Sequence, residues 1–423
     1  MRTMKAQLRA ACRVGPGAVA GLLVLGGLAF PARLLAEPEQ KADTITFRQL
    51  SSDANSAEPK VRRAALKALA TMGPEALDPI SLLVADPVRD IRANAILAVV
   101  RLYVEPPPKR QVTSAEVGFS WSPYLATPWP LPPVLVTNLV RALADDWPSE
   151  RRDAAYALGV VLTPPVDDSV ADELIYSLAD PADEVRLAAV RALGRLRAKR
   201  AGDQLIGRMA DPNLEVRLAA MRALGDIREP RALAALREQL DYYEDATAGR
   251  AALDSLARIA HSSTAGLFEQ ARFAGTAERR RAGYEGIARL GGVRDADALA
   301  VEQRLTEERE PEVRLAMAFA LAAAGRPYLE RVVQSLSDGE LANQAMEYVA
   351  ELGRARSDAL APYLQDRDPV VRARAAIAAG FSSGPRTEAE LSRLTSDGDP
   401  SVRRAAEVAL MRMRPLKPAK SIE

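Results

Sequence analysis

The sequence almost lacks the residues from which many catalytic and metal sites are built. It has one cysteine, Cys12, and one histidine, His261, among 423 residues. Zinc sites made of His or Cys ligands are therefore excluded, and any Ser-His-Asp or Cys-His arrangement would have to use His261. A lone histidine near a helix end is most often a surface residue, and the chain has no Gly-rich phosphate loop. We predict a protein with no catalytic residues, no metal and no cofactor.

Aromatic residues are also scarce, at 5%, whereas hydrophobic residues make up 48% and are mostly Ala, Leu and Val. This composition favours helices that pack closely through small side chains. The net charge is +1, and residues 1–36 hold five basic residues and no acid. Without them the balance is 52 − 56 = −4. The remaining chain has no overall basic field, so nucleic acid is not a predicted partner.

Residues 1–36 have the three parts of a secretory signal. A basic start is followed by the apolar stretch 18–30 and then by PARLLA, where we predict cleavage after Ala36. The apolar stretch is shorter than the roughly 20 residues of a membrane span. Cys12 precedes it, whereas a lipidated cysteine should follow it. We expect a periplasmic or secreted protein, and the alternative is an uncleaved segment that anchors the chain to a membrane.

One motif recurs along the rest of the chain. Residues 178–196, LADPADEVRLAAVRALGRL, align without a gap with residues 209–227, MADPNLEVRLAAMRALGDI. The arginine of the Val-Arg pair marks the phase of each copy, and the steps between copies are close to 31 residues with one exception. The phase-marker positions are Arg62, Arg92, Arg151, Arg186, Arg217, Arg250, Arg280, Arg314, Ala342, Arg372 and Arg403. The spacing predicts about eleven repeats.

Each copy has the features of a helix that begins at Asp-Pro or Glu-Pro. Val185, Ala188, Ala189, Ala192 and Leu193 lie on one helical face, and we expect the glycine that follows to end the helix. A second helix follows, as in residues 201–210. Two short helices bury little apolar surface alone, so repeats must stack. The expected fold is all-α, a right-handed solenoid.

The outline D-P-x-x-x-V-R-x-x-A-x-x-A-L-G resembles the HEAT-like repeat of the phycobilisome lyase type, over residues 45–413. The resemblance implies the fold and leaves the function open, because such repeats serve scaffolds, adaptors, chaperones and a few enzymes. Phycobilisome lyases attach bilins, but the repeat motif is not their catalytic part. Deoxyhypusine hydroxylases hold iron with His-Glu motifs, which are absent here. We expect residues 414–423 to be disordered.

An insertion at 104–133 breaks the period between Arg92 and Arg151. It contains eight prolines, so a helix of ordinary length is excluded. It also holds four aromatic residues in a chain otherwise poor in them: Phe119, Trp121, Tyr124 and Trp129. One hypothesis is that these residues bind a partner. The alternative is that they pack on the solenoid itself.

Acids and arginines recur six residues apart, in Asp86/Arg92, Asp180/Arg186 and Asp211/Arg217. In stacked repeats such residues usually form a structural ladder, and the alternative is a row of arginines that binds an anion or a peptide. The basic run Arg279, Arg280 and Arg281 is interpreted as a solvated helix face, and the alternative is that it adds charge to one end of a groove.

The leading functional hypothesis is a non-enzymatic scaffold or adaptor. It would bind a protein or peptide on the concave face of the solenoid, with the insertion near the N-terminal end. The alternatives are a membrane-anchored assembly factor, which requires residues 1–36 to be retained, and an enzyme or lyase-like accessory subunit. Two converging carboxylates of raised pKa would favour the enzyme. Neither the partner nor the oligomeric state follows from the sequence.

Replacing Trp121 and Trp129 by alanine distinguishes the two roles of the insertion. If the tryptophans bind a partner, capture of that partner is lost and the melting temperature is unchanged. If they pack on the solenoid, the melting temperature falls, because truncating a buried tryptophan costs about 3–5 kcal/mol. Thermal unfolding and partner capture, measured on the same preparations, provide the two readings.

Overall fold

The computed structural model describes residues 46–104, 131–243, 246–356, 358–382 and 384–413. The predicted signal segment 1–36, the tail 414–423 and Phe119, Trp121, Tyr124 and Trp129 of the insertion lie outside the described residues. All described helices belong to one unit that begins at Phe47. They are α1 (Phe47–Asp53), α2 (Pro59–Leu69), α3 (Leu77–Leu83), α4 (Arg89–Tyr103), α5 (Pro133–Ala142), α6 (Pro148–Val161), α7 (Asp168–Tyr176), α8 (Asp183–Arg195), α9 (Gly202–Arg208), α10 (Leu214–Asp226), α11 (Leu233–Tyr243), α12 (Thr247–Ile259), α13 (Ala265–Ala271), α14 (Ala277–Arg289), α15 (Asp295–Glu307), α16 (Pro311–Ala323), α17 (Leu329–Gln334), α18 (Ala342–Ala355), α19 (Pro369–Ala379), α20 (Pro385–Leu394) and α21 (Pro400–Met413).

Within the described residues, eleven helices each carry one of the phase-marker positions, and we call them the inner helices. They are α2, α4, α6, α8, α10, α12, α14, α16, α18, α19 and α21, and they define repeats 1 to 11. Each inner helix packs against the next one along the chain. An outer helix follows most of them, and the 3-10 turn Ala361–Gln365 takes that place after α18. The predicted all-α solenoid of about eleven two-helix repeats is confirmed.

Bidentate pairs between an arginine and an acid join successive repeats. Arg186 on α8 donates from Nε and Nη2 to the carboxylate of Asp211, at 2.8 and 2.9 Å, and that carboxylate belongs to the next repeat. Nη1 of Arg186 donates to the carbonyl oxygens of Asp180 and Pro181, at 2.9 and 3.2 Å. Each of these arginines therefore binds the turn before its own helix and the acid of the following repeat.

The same arrangement recurs at both ends of the solenoid. Among the described residues, the pairs in which a phase-marker arginine binds the acid before the next inner helix are Arg62–Asp86, Arg92–Asp145, Arg151–Asp180, Arg186–Asp211, Arg280–Glu308 and Arg372–Asp397. The structure thus places Asp86, Asp180 and Asp211 against the arginine of the preceding repeat. Their partners six residues later, Arg92, Arg186 and Arg217, bind their backbone carbonyls instead. The Arg92–Asp145 pair continues this ladder across the insertion.

Most helix starts use these acids in a second way. One carboxylate oxygen of Asp180 accepts the N–H of Ala182 at 2.9 Å, and Asp211 does the same for Asn213 at 3.0 Å. The inner helix begins one residue later, so Pro181 precedes the helix rather than occupying its first position. In α16 and α19 the proline does begin the helix, as the sequence predicts.

The glycine of the repeat has a different role from the predicted one. Gly194 lies inside α8, and a Cβ built on it would lie 2.8 Å from the Cα of Ala223. Because glycine has no Cβ atom, α8 and α10 can approach each other closely at this point. The helix ends at Arg195, and Arg197, two residues later, has a φ of 52°. The N–H groups of Arg197 and Ala198 donate back to the carbonyls of Gly194 and Leu193, both at 3.0 Å, which is a Schellman ending.

The predicted core face of α8 is confirmed, since Val185, Ala189 and Leu193 are fully buried. Neighbouring repeats bury the same positions, so one continuous core runs through the unit. None of the described helices combines the length and the apolar character that crossing a membrane requires.

Replacing Arg186 by methionine should strongly destabilise repeats 4 and 5. Asp211 is 3% exposed, so the change leaves a buried carboxylate without its bidentate partner, at a cost of about 3–5 kcal/mol. Amide hydrogen exchange should increase most in residues 180–226. The matched control is Arg200→Met, because Arg200 pairs with the exposed Asp168 and Asp172 and should contribute about 1 kcal/mol or less. Equal effects of the two substitutions would contradict the ladder's role.

Candidate functional site

The inner helices of repeats 3 to 11 surround a cavity of about 1260 Å³. Its lining includes ten arginines and six acidic residues among the described residues. Small side chains such as Ala188, Ala192, Ala219 and Ala223 separate the charged ones and leave room between them. The site is therefore a roomy, charged cavity built by many repeats rather than a pocket within one repeat.

Two positions of the repeat supply most of these charges. They lie five and nine residues after the phase marker, as Arg191 and Arg195 do after Arg186. Five residues carry the chain about 140° around a helix axis. The phase marker Arg186 therefore faces the neighbouring turn, whereas Arg191 faces the cavity. The equivalent cavity residues are Arg222 and Asp226 in repeat 5, Glu285 and Arg289 in repeat 7, Glu347 and Glu351 in repeat 9, and Arg412 in repeat 11.

One part of the cavity is crossed by a buried ion-pair network, which comprises Arg258, Arg281, Glu285, Arg289, Glu347 and Glu351. Arg289 donates to Glu351 at 3.0 Å and to Glu347 at 2.9 Å, and its side chain is 3% exposed. Arg258 contacts the same Glu347 at 2.8 Å. These bonds connect repeats 6 and 7 directly to repeat 9.

Glu285 is the centre of this network. Arg281 donates to its carboxylate at 2.8 Å, Arg289 at 3.3 Å and the hydroxyl of Tyr348 at 2.5 Å. The ring of Tyr348 stacks on Phe319 with centroids 4.2 Å apart. Burial tends to raise the pKa of Glu285, but the two arginines and the tyrosine outweigh it and lower the pKa to about 2. Glu285 is therefore an ionised structural acid at neutral pH.

The remaining cavity arginines form a second group, the arginine cluster: Arg191, Arg195, Arg197, Arg222, Arg354 and Arg412. The guanidinium groups of Arg412 and Arg354 lie 4.6 and 5.5 Å from the centre of the Phe381 ring. Burial lowers the pKa of Arg195 to about 9 and the pKa of Arg412 to about 10. For Arg195 the nearby charge of Arg412 adds to that decrease. Arg195 and Arg412 therefore remain cationic at neutral pH.

Two arginines that line the cavity have a backbone conformation that is unfavourable for residues other than glycine. Arg197 and Arg228 have φ values of 52° and 53°, in the left-handed region where glycine is the usual residue. Both follow an inner helix at the same point of the repeat. Arg228 lies 3.8 Å from Glu351, at the edge of the ion-pair network.

The residues singled out from the sequence lie elsewhere. The ladder residues Asp86, Arg92, Asp180, Arg186, Asp211 and Arg217 lie between repeats and are absent from the cavity lining. His261 caps the short turn Ser262–Thr264, because its Nδ1 accepts the N–H of Ser263. In the basic run, Arg280 joins the ladder and Arg281 joins the cavity network, so the interpretation as a solvated face is wrong for these two.

Sequence reasoning did not single out the arginines of the cavity. The signal that reveals them is the second arginine in VRLAAVRALG and VRLAAMRALG, namely Arg191 and Arg222. No group of three or more His, Cys, Asp or Glu side chains placed to hold a metal ion occurs in the described part of the chain.

Comparison with known proteins identifies HEAT repeats at residues 171–257 and 357–422. These two stretches match HEAT repeats, and the resemblance that predicted the fold is confirmed. No curated protein sequence matches the chain.

Solved structures match the chain at low identity. One is an engineered protein at 18% identity, covering 86% of this chain and 98% of the other, with a TM-score of 0.34. The complex of CpcE and CpcF of phycocyanin lyase from Nostoc sp. PCC7120 matches at 20% identity, covering 73% and 100%, with a TM-score of 0.34. Human deoxyhypusine hydroxylase matches at 21% identity, covering 66% and 95%, with a TM-score of 0.28.

Replacing Glu285 by glutamine should make stability less sensitive to acid. A carboxylate whose pKa falls from 4.5 to about 2 on folding stabilises the fold above pH 4.5, and this contribution is lost as the pH falls towards 2. The shift corresponds to about 3 kcal/mol, at about 1.4 kcal/mol per unit of pKa. The variant should be less stable than the parent at neutral pH and lose less on acidification.

Thermal unfolding between neutral pH and about pH 2 measures this effect. Glu238→Gln, on the exposed side of the outer helix α11, is the matched control and should follow the parent protein. Parallel pH profiles for Glu285→Gln and the parent would show that Glu285 does not have the inferred role.

Proposed function

We propose that this chain is a non-enzymatic interaction scaffold that binds a protein or peptide partner in the cavity of its inner helices. The observation that carries the proposal is the cavity of about 1260 Å³, to which repeats 4 to 9 and repeat 11 contribute charged side chains. Small-molecule sites are usually smaller, about 300–1000 Å³, and mainly apolar. A cavity this large, with ten arginines and six acids in its lining, suits a polypeptide segment better.

The proposal of a non-enzymatic protein is supported by the state of the buried carboxylates. An enzyme that uses paired carboxylates needs one of them to hold a proton near neutral pH. The carboxyl group of Glu285 in the cavity instead loses its proton well below neutral pH, since its pKa lies near 2. Burial does raise the pKa of Asp254, but Asp254 is absent from the cavity lining and accepts a hydrogen bond from Arg281 at 2.9 Å. The strongest carboxylate interactions are thus structural.

We further propose that the scaffold acts in the periplasm or outside the cell. Support comes from the sequence of residues 1–36, with its basic start, short apolar stretch and potential cleavage point after Ala36. The aromatic residues of the insertion provide a second candidate contact for the partner.

A photo-crosslinking amino acid at position 222 tests the proposed site in living cells. Arg222 is exposed and lines the cavity, whereas Glu238 is exposed on the outer helix α11 and serves as the control position. We expect a discrete crosslinked protein or peptide from position 222 that position 238 does not give. The intact mass of the recovered chain reports in the same sample whether residues 1–36 were removed.

Identical adducts from both positions, or adducts from position 238 alone, would mean that the cavity is not the binding surface. A recovered mass that retains residues 1–36 would contradict export with cleavage and would favour the membrane-anchored alternative.

A further inference from the structure

The ladder between repeats is incomplete in the second half of the solenoid. A ladder pair joins a phase-marker arginine to an acid that lies six residues before the next phase marker, as in Arg186 and Asp211. Among the described residues this pair is missing at three junctions, those of repeat 6 with 7, repeat 8 with 9 and repeat 9 with 10. Each junction lacks one of the two side chains or the contact between them.

At the junction of repeats 6 and 7 the acid is missing, because Ala274 occupies its position. Arg250 contacts Glu278 instead, with 3.5 Å between Nη1 and Oε1, and both side chains are exposed. Exposed ion pairs contribute little to stability. This contact is therefore a weak substitute for the buried bidentate pairs of the earlier repeats.

Repeat 9 has a ladder pair with neither neighbour in the part of the chain that the structure describes. Towards repeat 8, Nη1 of Arg314 donates to two backbone carbonyls as usual, but the acid position holds the buried Leu336. Towards repeat 10, the phase marker is Ala342, and Asp366 accepts a hydrogen bond from Gln334 instead, at 3.0 Å. In addition, α16 and α18 pack less extensively than α14 and α16. Other contacts must therefore position repeat 9.

The ion-pair network supplies such contacts, and they reach across the cavity. Glu347 on α18 contacts Arg258 on α12 at 2.8 Å and Arg289 on α14 at 2.9 Å. Glu351, one helical turn later, contacts Arg289 at 3.0 Å. These ion pairs bypass repeat 8 and join repeat 9 to repeats 6 and 7. They thus act within the segment where three ladder pairs are missing.

The contacts between repeat 9 and repeat 8 are uncharged. Nε2 of Gln344 donates to the backbone carbonyl of Glu312 at 3.0 Å, and the ring of Tyr348 stacks on Phe319. Neither contact fixes the rotation of α18 as a bidentate ion pair does, because a stacked ring pair and a single hydrogen bond leave more orientations open. Repeat 8 therefore provides an attachment about which α18 can turn.

The network is also accessible from the cavity. The side chains of Arg258, Glu347 and Glu351 are 37%, 20% and 15% exposed, and all three line the cavity. Ions or charged groups that enter the cavity can therefore compete for these bonds.

We infer that the ion-pair network sets the width of the cavity, and that repeat 9 moves away from repeats 6 and 7 when these ion pairs open. The inference goes beyond the proposed function, because it concerns the width of the cavity rather than what binds there. In the open form, the stacking of Tyr348 on Phe319 still attaches α18 to α16. The carboxylates of Glu347 and Glu351 are then available to a ligand, and a ligand that binds them shifts the chain towards the open form.

Pulsed electron paramagnetic resonance between two spin labels measures this width on the full chain. Cys12 is the only cysteine, so Cys12→Ser allows labels to be attached at chosen positions. The substitutions R222C and N343C place labels on exposed residues of the cavity lining, in repeats 5 and 9. When E347Q/E351Q is added, we expect a longer and broader distance between the labels, since neutral glutamines hold the guanidinium groups less strongly.

Two controls separate a wider cavity from general effects. Labels at A85C and A234C, on exposed positions of repeats 1 and 5, span the part of the ladder that is complete. Their distance should be the same in E347Q/E351Q as in the parent chain. The variant E238Q/E307Q removes two exposed acids from the outer helices α11 and α15, and it should leave both distances unchanged.

The inference fails if a folded E347Q/E351Q chain keeps the parent distance between positions 222 and 343, or if E238Q/E307Q lengthens that distance equally. A changed distance between positions 85 and 234 would show that E347Q/E351Q has not folded normally. The parent chain in about 1 M salt then decides, because the screening length is about 3 Å there. A longer distance between positions 222 and 343 in salt supports the inference, and an unchanged distance overturns it.

Discussion

The bidentate bond between an arginine and the acid of the next repeat is the contact on which the solenoid depends. The guanidinium group lies between two turns, as at Arg186. Its Nη1 donates hydrogen bonds to two backbone carbonyls, while Nε and Nη2 donate to a carboxylate. That carboxylate also accepts the N–H of Asn213, the residue just before α10. Three groups of bonds thus fix the rotation of one repeat relative to the next. The positions five and nine residues further along can then face a common cavity.

Two kinds of electrostatics coexist in this cavity. In the network around Glu285 and Arg289, charges of both signs are buried together, and their hydrogen bonds compensate for the water they have lost. Around Arg195 and Arg412 burial lowers the pKa values of both guanidinium groups, and the nearby charge of Arg412 adds to the decrease at Arg195.

The fold followed from the sequence because its determinants are local. The period near 31, the Val-Arg pair and the apolar face of Val185 and Leu193 all lie within one repeat. The role of Gly194 did not follow, since its close contact with Ala223 depends on the distance between two helices. The cavity could be predicted from the sequence only in part. The repeats predict a concave face of inner helices, but they do not predict which arginines line it. Contacts such as Arg258–Glu347 depend on the accumulated rotation of several repeats, which no single repeat encodes.

Those same contacts change how the array behaves as a physical system. In an ideal solenoid each repeat interacts only with its neighbours, so stability is a sum over adjacent pairs. Arg258 and Glu347 are 89 residues apart and are bonded at 3.0 Å, and Arg289 links repeats 7 and 9 in the same way. Repeats 6 to 9 are consequently coupled by contacts that skip the intervening repeats. We expect unfolding that begins at either end of the array to stop at this segment. Once unfolding breaks the ion pairs between α18 and the two earlier helices, these four repeats should unfold together.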